Sequence, residues 1–332
     1  MSAPPCEVKE LSWFGFPALS AGNGLVRAVV VPTLGARIVS LVHMTPTGER
    51  EWLWKNPYLE PQLPDFAAPY ASEFDLGGWD ECFPSVAQTH YPTGPWEGSQ
   101  VPDHGELWCQ PWKEKVFVST EEIELRTVTY GVRFPYRFER IIWIRQGEPR
   151  IHISYSVNNL TIFPIPFVWS PHPTFEVRPG MFLAIPSQDM SVYYSSEGRF
   201  GNLGTRQKWP TLQSVNDQYF DLSIFPQKDS AIAVKLYGRS PANGVISLKD
   251  PFHNSELSMK YDPNEITHLS MWLNFGGWCG LQRKDRVNYF NLSVAPCIGA
   301  SDDLALAVNH FKEFGLIQPK NLKTWKLELG FH

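Results

Sequence analysis

The sequence lacks a long apolar run. Nothing in it approaches the ~18 residues that would suggest a membrane span, and the amino-terminal stretch MSAPPCEVKELSWFGF has no basic patch leading into an apolar core. Neither a spanning helix nor a secretory leader is expected, and the expected setting is cytoplasmic. Cysteine is scarce: Cys6, Cys82, Cys109, Cys279 and Cys297 are odd in number, widely spaced and free of any CxxC pair. That argues against a disulfide framework and against a cysteine-based zinc site. Basic charge forms no stripe either. The 29 Lys and Arg residues are scattered among 34 Asp and Glu, for a net charge of −5, so no surface is built to neutralise phosphates and no nucleic-acid partner is expected. No fixed-period repeat, low-complexity stretch or linker-like shift in composition divides the chain. Residues 1–332 are read as one domain, although length alone would allow two.

What the sequence has instead is aromatic and period-two. Its 13 Trp, 12 Tyr and 21 Phe accompany 29 Pro and 24 Gly, a mixture that suits pleated surfaces punctuated by turns. In Ile151–Val157 the residues Ile151, Ile153, Tyr155 and Val157 face one way, and His152, Ser154 and Ser156 the other. Similar alternation runs through 123–129, 231–237, 245–249, 257–261 and 268–275. The segment 140–145 is apolar on both faces, as in a strand between two layers. One helix is expected over 301–315, with Ser301 as N-cap, Asp302 and Asp303 in its first turn and Gly315 closing it. The fold class is therefore all-β: a large antiparallel β-sandwich with few helices. Residues 55–102, rich in Pro, Gly and aromatics, read as long loops of the kind that carry function.

Two of the nine histidines stand apart. His172 lies between Pro171 and Pro173, and His104 lies in Pro102-Asp-His-Gly-Glu-Leu-Trp108. Pro173 forces His172 out of the helical region and onto a stiff, extended segment. A histidine held this way suits acid–base work near neutrality. A strand simply ended by prolines, with His172 in solvent, is the competing reading.

Leu76-Gly-Gly-Trp-Asp-Glu-Cys-Phe-Pro84 followed by Pro102-Asp-His-Gly-Glu-Leu-Trp108 resembles the aldose 1-epimerase (mutarotase) family, and more closely a bacterial branch with GGWDE and DHGE motifs. Ser170-Pro-His-Pro-Thr-Phe175 is similar to the second histidine block of that family. Residues 35–41, 272–278 and 291–304 resemble further blocks, in family order along nearly the whole chain. The resemblance implies a galactose mutarotase-like β-supersandwich. It also implies a cofactor-free, metal-free interconversion of sugar anomers on a small-molecule carbohydrate. In that chemistry a glutamate takes the proton of the C1 hydroxyl and a histidine protonates the ring oxygen. His172 becomes the proton donor, and His104 hydrogen-bonds the sugar.

The sequence departs from the family where the glutamate belongs, because that position is Ala295. Along 289–295 the residues Tyr289, Asn291, Ser293 and Ala295 share the less apolar face, where the base should project, and 291–299 holds no carboxylate. Asp80, Glu81 and Glu106 sit in the recognised motifs, either hydrogen-bonding sugar hydroxyls or pinning loops. Arg37 is a candidate for substrate oxygens or a phosphate, or is merely a strand-end arginine. Trp79, Trp108 and Trp278 are candidate stacking walls, with core packing the equal alternative. Three functions follow: an isomerase working through His172 and His104, a carbohydrate-binding pseudoenzyme, and a pocket turned to another proton transfer such as an elimination or cyclisation.

Overall fold

The computed structural model describes residues 4–281 and 289–332. Two large antiparallel sheets dominate it, one of twelve strands and one of eight. The middle of the larger sheet runs, in spatial order, Arg37–Thr45, Gly78–Cys82, Ser170–Glu176, Phe290–Cys297, His268–Phe275 and Ile232–Arg239. The middle of the smaller one runs Ser255–Tyr261, Leu322–Phe331, Arg150–Asn159, Tyr136–Arg145 and Glu122–Tyr130. A single core cluster draws on both, from Ile38, Trp79 and Leu292 in the first to Ile142, Tyr155 and Trp325 in the second.

Each strand takes its place from its residue pattern. Glu122–Tyr130 and Arg150–Asn159 alternate buried and half-exposed side chains along nearly their whole length, one face to the core and one to water. Gly78–Cys82 and Phe290–Cys297 are buried at every position. They lie mid-sheet, with the smaller sheet against one face and loops over the other. The 140–145 segment is buried through Ile142 and again at Ile144, half-buried at Trp143, and ends exposed at Arg145.

The late helix differs from expectation. Asp303, not Ser301, is the N-cap, its carboxylate accepting from the Leu306 N–H. One α-turn over Leu304–Leu306 widens into a π-turn over Ala307–Phe311, and Lys312 ends it in a left-handed conformation. Gly315 opens a short strand instead of closing the helix. Four consecutive residues, Ser301 to Leu304, lie in or beside a polar junction with the 85–89 loop, where Ser85 Oγ and Thr89 Oγ1 bind the Asp302 carbonyl and the Asp303 carboxylate. That junction delays the helix by two residues. Within 55–102, the expected long loops are interrupted by the central strand Gly78–Cys82 and by short turns and bridges.

One ionic network ties the sheets together. Glu81 points from the Gly78–Cys82 strand into the inter-sheet core. Its Oε1 accepts from Arg140 at 3.1 Å and from the Tyr155 hydroxyl at 3.0 Å, and its Oε2 accepts from Trp169 Nε1 at 3.1 Å. Arg140 also donates to the Ala36 carbonyl. Glu81 and Arg140 are both fully buried. Burial pushes the Glu81 carboxyl from 4.5 up to about 7, against the opposing pull of Arg140 and the three hydrogen bonds. The folded protein therefore binds more protons here than the unfolded chain between those two values. The stability contributed by Glu81 is fully present below the lower value and is lost as pH rises through the upper one. Unfolding free energies of the wild type and Glu81→Gln, taken by urea titration across pH 5 to 8, should show a wild-type advantage that shrinks as pH rises. An advantage that grows with pH would contradict the raised carboxyl.

Candidate functional site

The opposite face of the twelve-stranded sheet floors a cleft of about 260 Å³, slightly below the roughly 300–1,000 Å³ typical of ligand pockets. The floor is laid out in rows by strand register. Tyr237, Ser270 and Ala295 form one row, Lys235, Trp272 and Ser293 the next, and Asn274 and Asn291 a third. The strand Ser170–Glu176 joins with Glu176 opposite Asn291, and at its other end Trp169 is bridged to Ile298. Carried between those ends, the register sets His172 level with Ala295 on the same face. Asp80 is opposite His172 on the far side.

His104 enters from the loop above the sheet. It and Gly105 take successive left-handed conformations, φ 59° and 74°. Gly105 is required there, since a Cβ would lie 2.1 Å from the Phe83 carbonyl oxygen. The histidine is held in its uncommon conformation by its N–H bond to the Val86 carbonyl (2.6 Å) and by Asp103, whose carboxylate is 2.9 Å from Nδ1. A carboxylate so placed is the partner an imidazolium needs. The His104 and His172 rings stand 5.0 Å apart between centroids at 75°. Tyr70 touches both, stacked on His104 at 3.8 Å and edge-on to His172 at 5.9 Å.

His172 differs sharply from its neighbour. Enclosure by protein pushes its pKa well below the ordinary histidine value, and the positive charges at His104, Lys235 and Arg37 push the same way. Across the cleft, Asp302 Oδ1 accepts from the Tyr237 hydroxyl at 2.5 Å and pairs with Lys235 Nζ at 2.9 Å. Its carbonyl, bound by the N–H groups of Val86 and Ala87, fixes it in place. Asp302 is thus a cleft carboxylate and not a first-turn helix residue. The Asn291 side-chain oxygen is buried and unpartnered at the cleft wall.

The sequence candidates divide into three groups. His104, His172 and Trp278 line the cleft. Arg37 and Asp80 form a buried ion pair (2.7 Å) behind it; the Arg37 Nη atoms also donate to the carbonyls of Phe74 and Gly77, and the guanidinium is buried away from the cleft, so it is not open to a phosphate. Trp79, Glu81 and Glu106 are outside it. Neighbours in a strand point to opposite faces, so Trp79 and Glu81 go to the core while Asp80 goes to the cleft side. Glu106 pins a loop, accepting from the N–H groups of Val132 and Arg133 and from the Tyr136 hydroxyl. Trp108 is buried against Tyr70 with its Nε1 on the Asp103 carbonyl. Ala295 is on the cleft face but buried, without lining the cleft. Cleft residues that sequence reading did not name as candidates include Tyr70, Asp103, Lys235, Trp272, Asn291 and Asp302. Lys235, a lone charge in the apolar strand Ile-Ala-Val-Lys-Leu-Tyr, gave a usable signal, whereas Tyr70 gave none. Among the described residues, no group of three or more His, Cys, Asp or Glu side chains is arranged to hold a metal ion.

The sequence matches no protein-family model and no curated protein. Solved structures do resemble it. A galactose mutarotase-like protein from Clostridium acetobutylicum superposes with a TM-score of 0.65 at 13% identity, covering 99% of each chain. A galactose mutarotase related enzyme from Lactobacillus acidophilus gives 0.63 at 14%, over 95% of this chain and 97% of the other. The Slr1438 protein from Synechocystis gives 0.63 at 14%, over 100% and 97%. At these identities the likeness is one of fold. The chain has a mostly-β, mutarotase-like fold with few helices. No helix among the described residues is long and apolar enough to cross a membrane.

The depressed His172 pKa has a measurable sign. The native protein binds fewer protons at His172 than the unfolded chain below the ordinary ~6.5. Its contribution to stability is therefore present above that value and is lost as pH falls towards the folded pKa. In an NMR titration, the imidazole resonance that disappears in His172→Gln should have its midpoint below 6.5. A midpoint at or above 6.5 would contradict the enclosed, cation-flanked ring.

Proposed function

We propose that the protein is an aldose 1-epimerase-like isomerase, cytoplasmic and acting as one unit over residues 1–332, that opens and recloses a monosaccharide-sized ring by paired proton transfers. The observation that carries this reading is the inequality of two histidines in one cleft: His104 beside a carboxylate, His172 enclosed and flanked by cations. Two imidazoles in such different surroundings divide naturally into acid and base. The neutral His172 takes the proton of the C1 hydroxyl while the His104 imidazolium protonates the ring oxygen and the C1–O5 bond breaks. Rotation about C1–C2 exposes the other carbonyl face. On closure the protonated His172 returns its proton to the carbonyl oxygen, and His104 recovers its proton from O5. Both oxygens are bonded to the same carbon, so a donor and an acceptor a few ångströms apart serve both.

This reverses the roles implied by the family resemblance, where His172 is the donor and a glutamate the base. It removes the need for a carboxylate at Ala295. Lys235, Asp302 and Asn291 supply donors and acceptors for ring hydroxyls, and Trp278 and Trp272 offer apolar faces to ring C–H groups. Proton transfers drive the opening and the closure and no electron changes hands, so the reaction calls on no cofactor.

A second reading rests on Ala295 itself, a buried methyl level with His172 where the family resemblance places the base. It keeps the sugar in the cleft without the chemistry. Two-dimensional NMR exchange on a panel of aldopyranoses and their phosphates separates the two. The first reading predicts anomer exchange well above background for at least one sugar, falling about 10²- to 10⁴-fold in His172→Gln and in His104→Gln. Saturable binding without exchange, with a gain in that same range in a folded Ala295→Glu variant, would overturn it in favour of the second.

A further inference from the structure

The mechanism uses both imidazoles but not the buried groups behind them. Tyr70 is the residue that connects these groups to the cleft. It lies on the 70–74 turn, and its ring is wedged between the face of His104 (3.8 Å, 18°) and the edge of Trp108 (5.0 Å, 82°). Its hydroxyl donates to Asp80 Oδ2 at 2.8 Å and lies 3.3 Å from His172 Nδ1. Asp80 Oδ2 is also the partner of Arg37, at 2.7 Å. The guanidinium in turn holds the carbonyls of Phe74 and Gly77, which brace the turn that carries Tyr70. Arg37, Asp80 and Tyr70 are buried.

With Asp80 ionised beside Arg37, proton counting along this chain leaves one arrangement. A phenol has a single proton, and Tyr70 commits it to the nearer acceptor, the carboxylate of Asp80. Its oxygen can then only accept from His172, so His172 must carry its proton on Nδ1. In a neutral imidazole the other nitrogen is then a bare lone pair. We propose that Tyr70 is a positioning residue: it takes the Nδ1–H of His172 and gives its own proton to Asp80, thereby holding His172 as the tautomer whose Nε2 lone pair is free for the cleft. The catalytic meaning of this rests on the proposed function, where Nε2 is the proton acceptor; the tautomer itself does not. Burial and the Asp80 charge push the Tyr70 phenol well above its ordinary pKa, which keeps its proton in place. Burial opposes the charge of Arg37, but Asp80, together with Tyr70 and Asp75, more than restores it, so the chain ends in a lasting cation.

The opposite proton order is chemically complete as well. A protonated Asp80 donating to Tyr70, and Tyr70 to His172 Nδ1, would leave the proton on Nε2 and make His172 a donor to the cleft. The two orders give different spectra. Two-bond ¹H–¹⁵N correlation on sugar-free protein labelled at histidine reads them directly, with the His172 signals identified by their loss in His172→Gln. The wild type should show Nδ1 protonated and Nε2 bare. Tyr70→Phe keeps the ring on His104 and removes the acceptor, and should shift His172 from mainly the Nδ1–H to mainly the Nε2–H tautomer. A wild-type His172 with its proton on Nε2 would overturn the proposal, and so would a folded Tyr70→Phe protein with an unchanged tautomer. The wild-type spectrum decides by itself if the variant fails to fold. No anomer exchange with the Nδ1–H tautomer present would sink the proposed function and leave this inference standing. Exchange with the Nε2–H tautomer would do the reverse.

Discussion

The structure depends on two adjacent carboxylates in a buried strand, each held by its own arginine. Asp80 and Glu81 are neighbours in Gly78–Cys82, so the pleat sends them to opposite faces of the large sheet. Glu81 meets Arg140 from the other sheet and fixes how the two sheets lie against each other. Asp80 meets Arg37 and Tyr70 and fixes what stands behind the cleft. Removing one member of such a pair leaves a buried, uncompensated charge, typically at about 3–5 kcal/mol. Fold and site are thus coupled through one peptide unit: a shift of this strand that relieved one pair would strain the other.

The same geometry explains what the sequence made legible and what it hid. Period-two patterning marked the strands well, because a half-buried strand writes its two faces directly into alternate residues. It located the cleft face of 289–295 correctly as the one carrying Asn291 and Ala295. Treating Trp79, Asp80 and Glu81 as one contact set ignored that rule, although the rule itself separates them. Glu106 was ambiguous for a different reason: a carboxylate that binds loop N–H groups and one that binds hydroxyls are the same residue in sequence. Asp302 was misplaced because acids after a serine suit a helix start, and only its non-local contacts with Lys235, Tyr237 and the 85–89 loop draw it into the cleft. Tyr70 lies in a Pro- and Ala-rich turn with no periodicity, so its position was set by tertiary packing alone.

On the proposed reading, the cleft works without a carboxylate on its floor by using the charged groups at its margins. Where the family resemblance implies a carboxylate on the Phe290–Cys297 strand, the floor has a methyl, and the acids stand instead at its margins, as Asp103 behind His104 and Asp302 against Lys235. Asp302 is paired with Lys235 and, behind the cleft, Asp80 with Arg37. His172, ringed by cations and without an acid of its own in direct contact, is left as the neutral member. Among the described residues, its hydrogen-bonded path to an acid passes through the hydroxyl of Tyr70.

The central claim is that the reacting end of a sugar lies between two unequal imidazoles. A crystal structure of the protein soaked with a reducing pyranose tests it most directly. The account predicts the ring in the cleft, with the anomeric hydroxyl nearest Nε2 of His172 and the ring oxygen nearest the His104 imidazole. A sugar bound with its anomeric carbon turned away from both histidines, or seated outside the cleft, would contradict it.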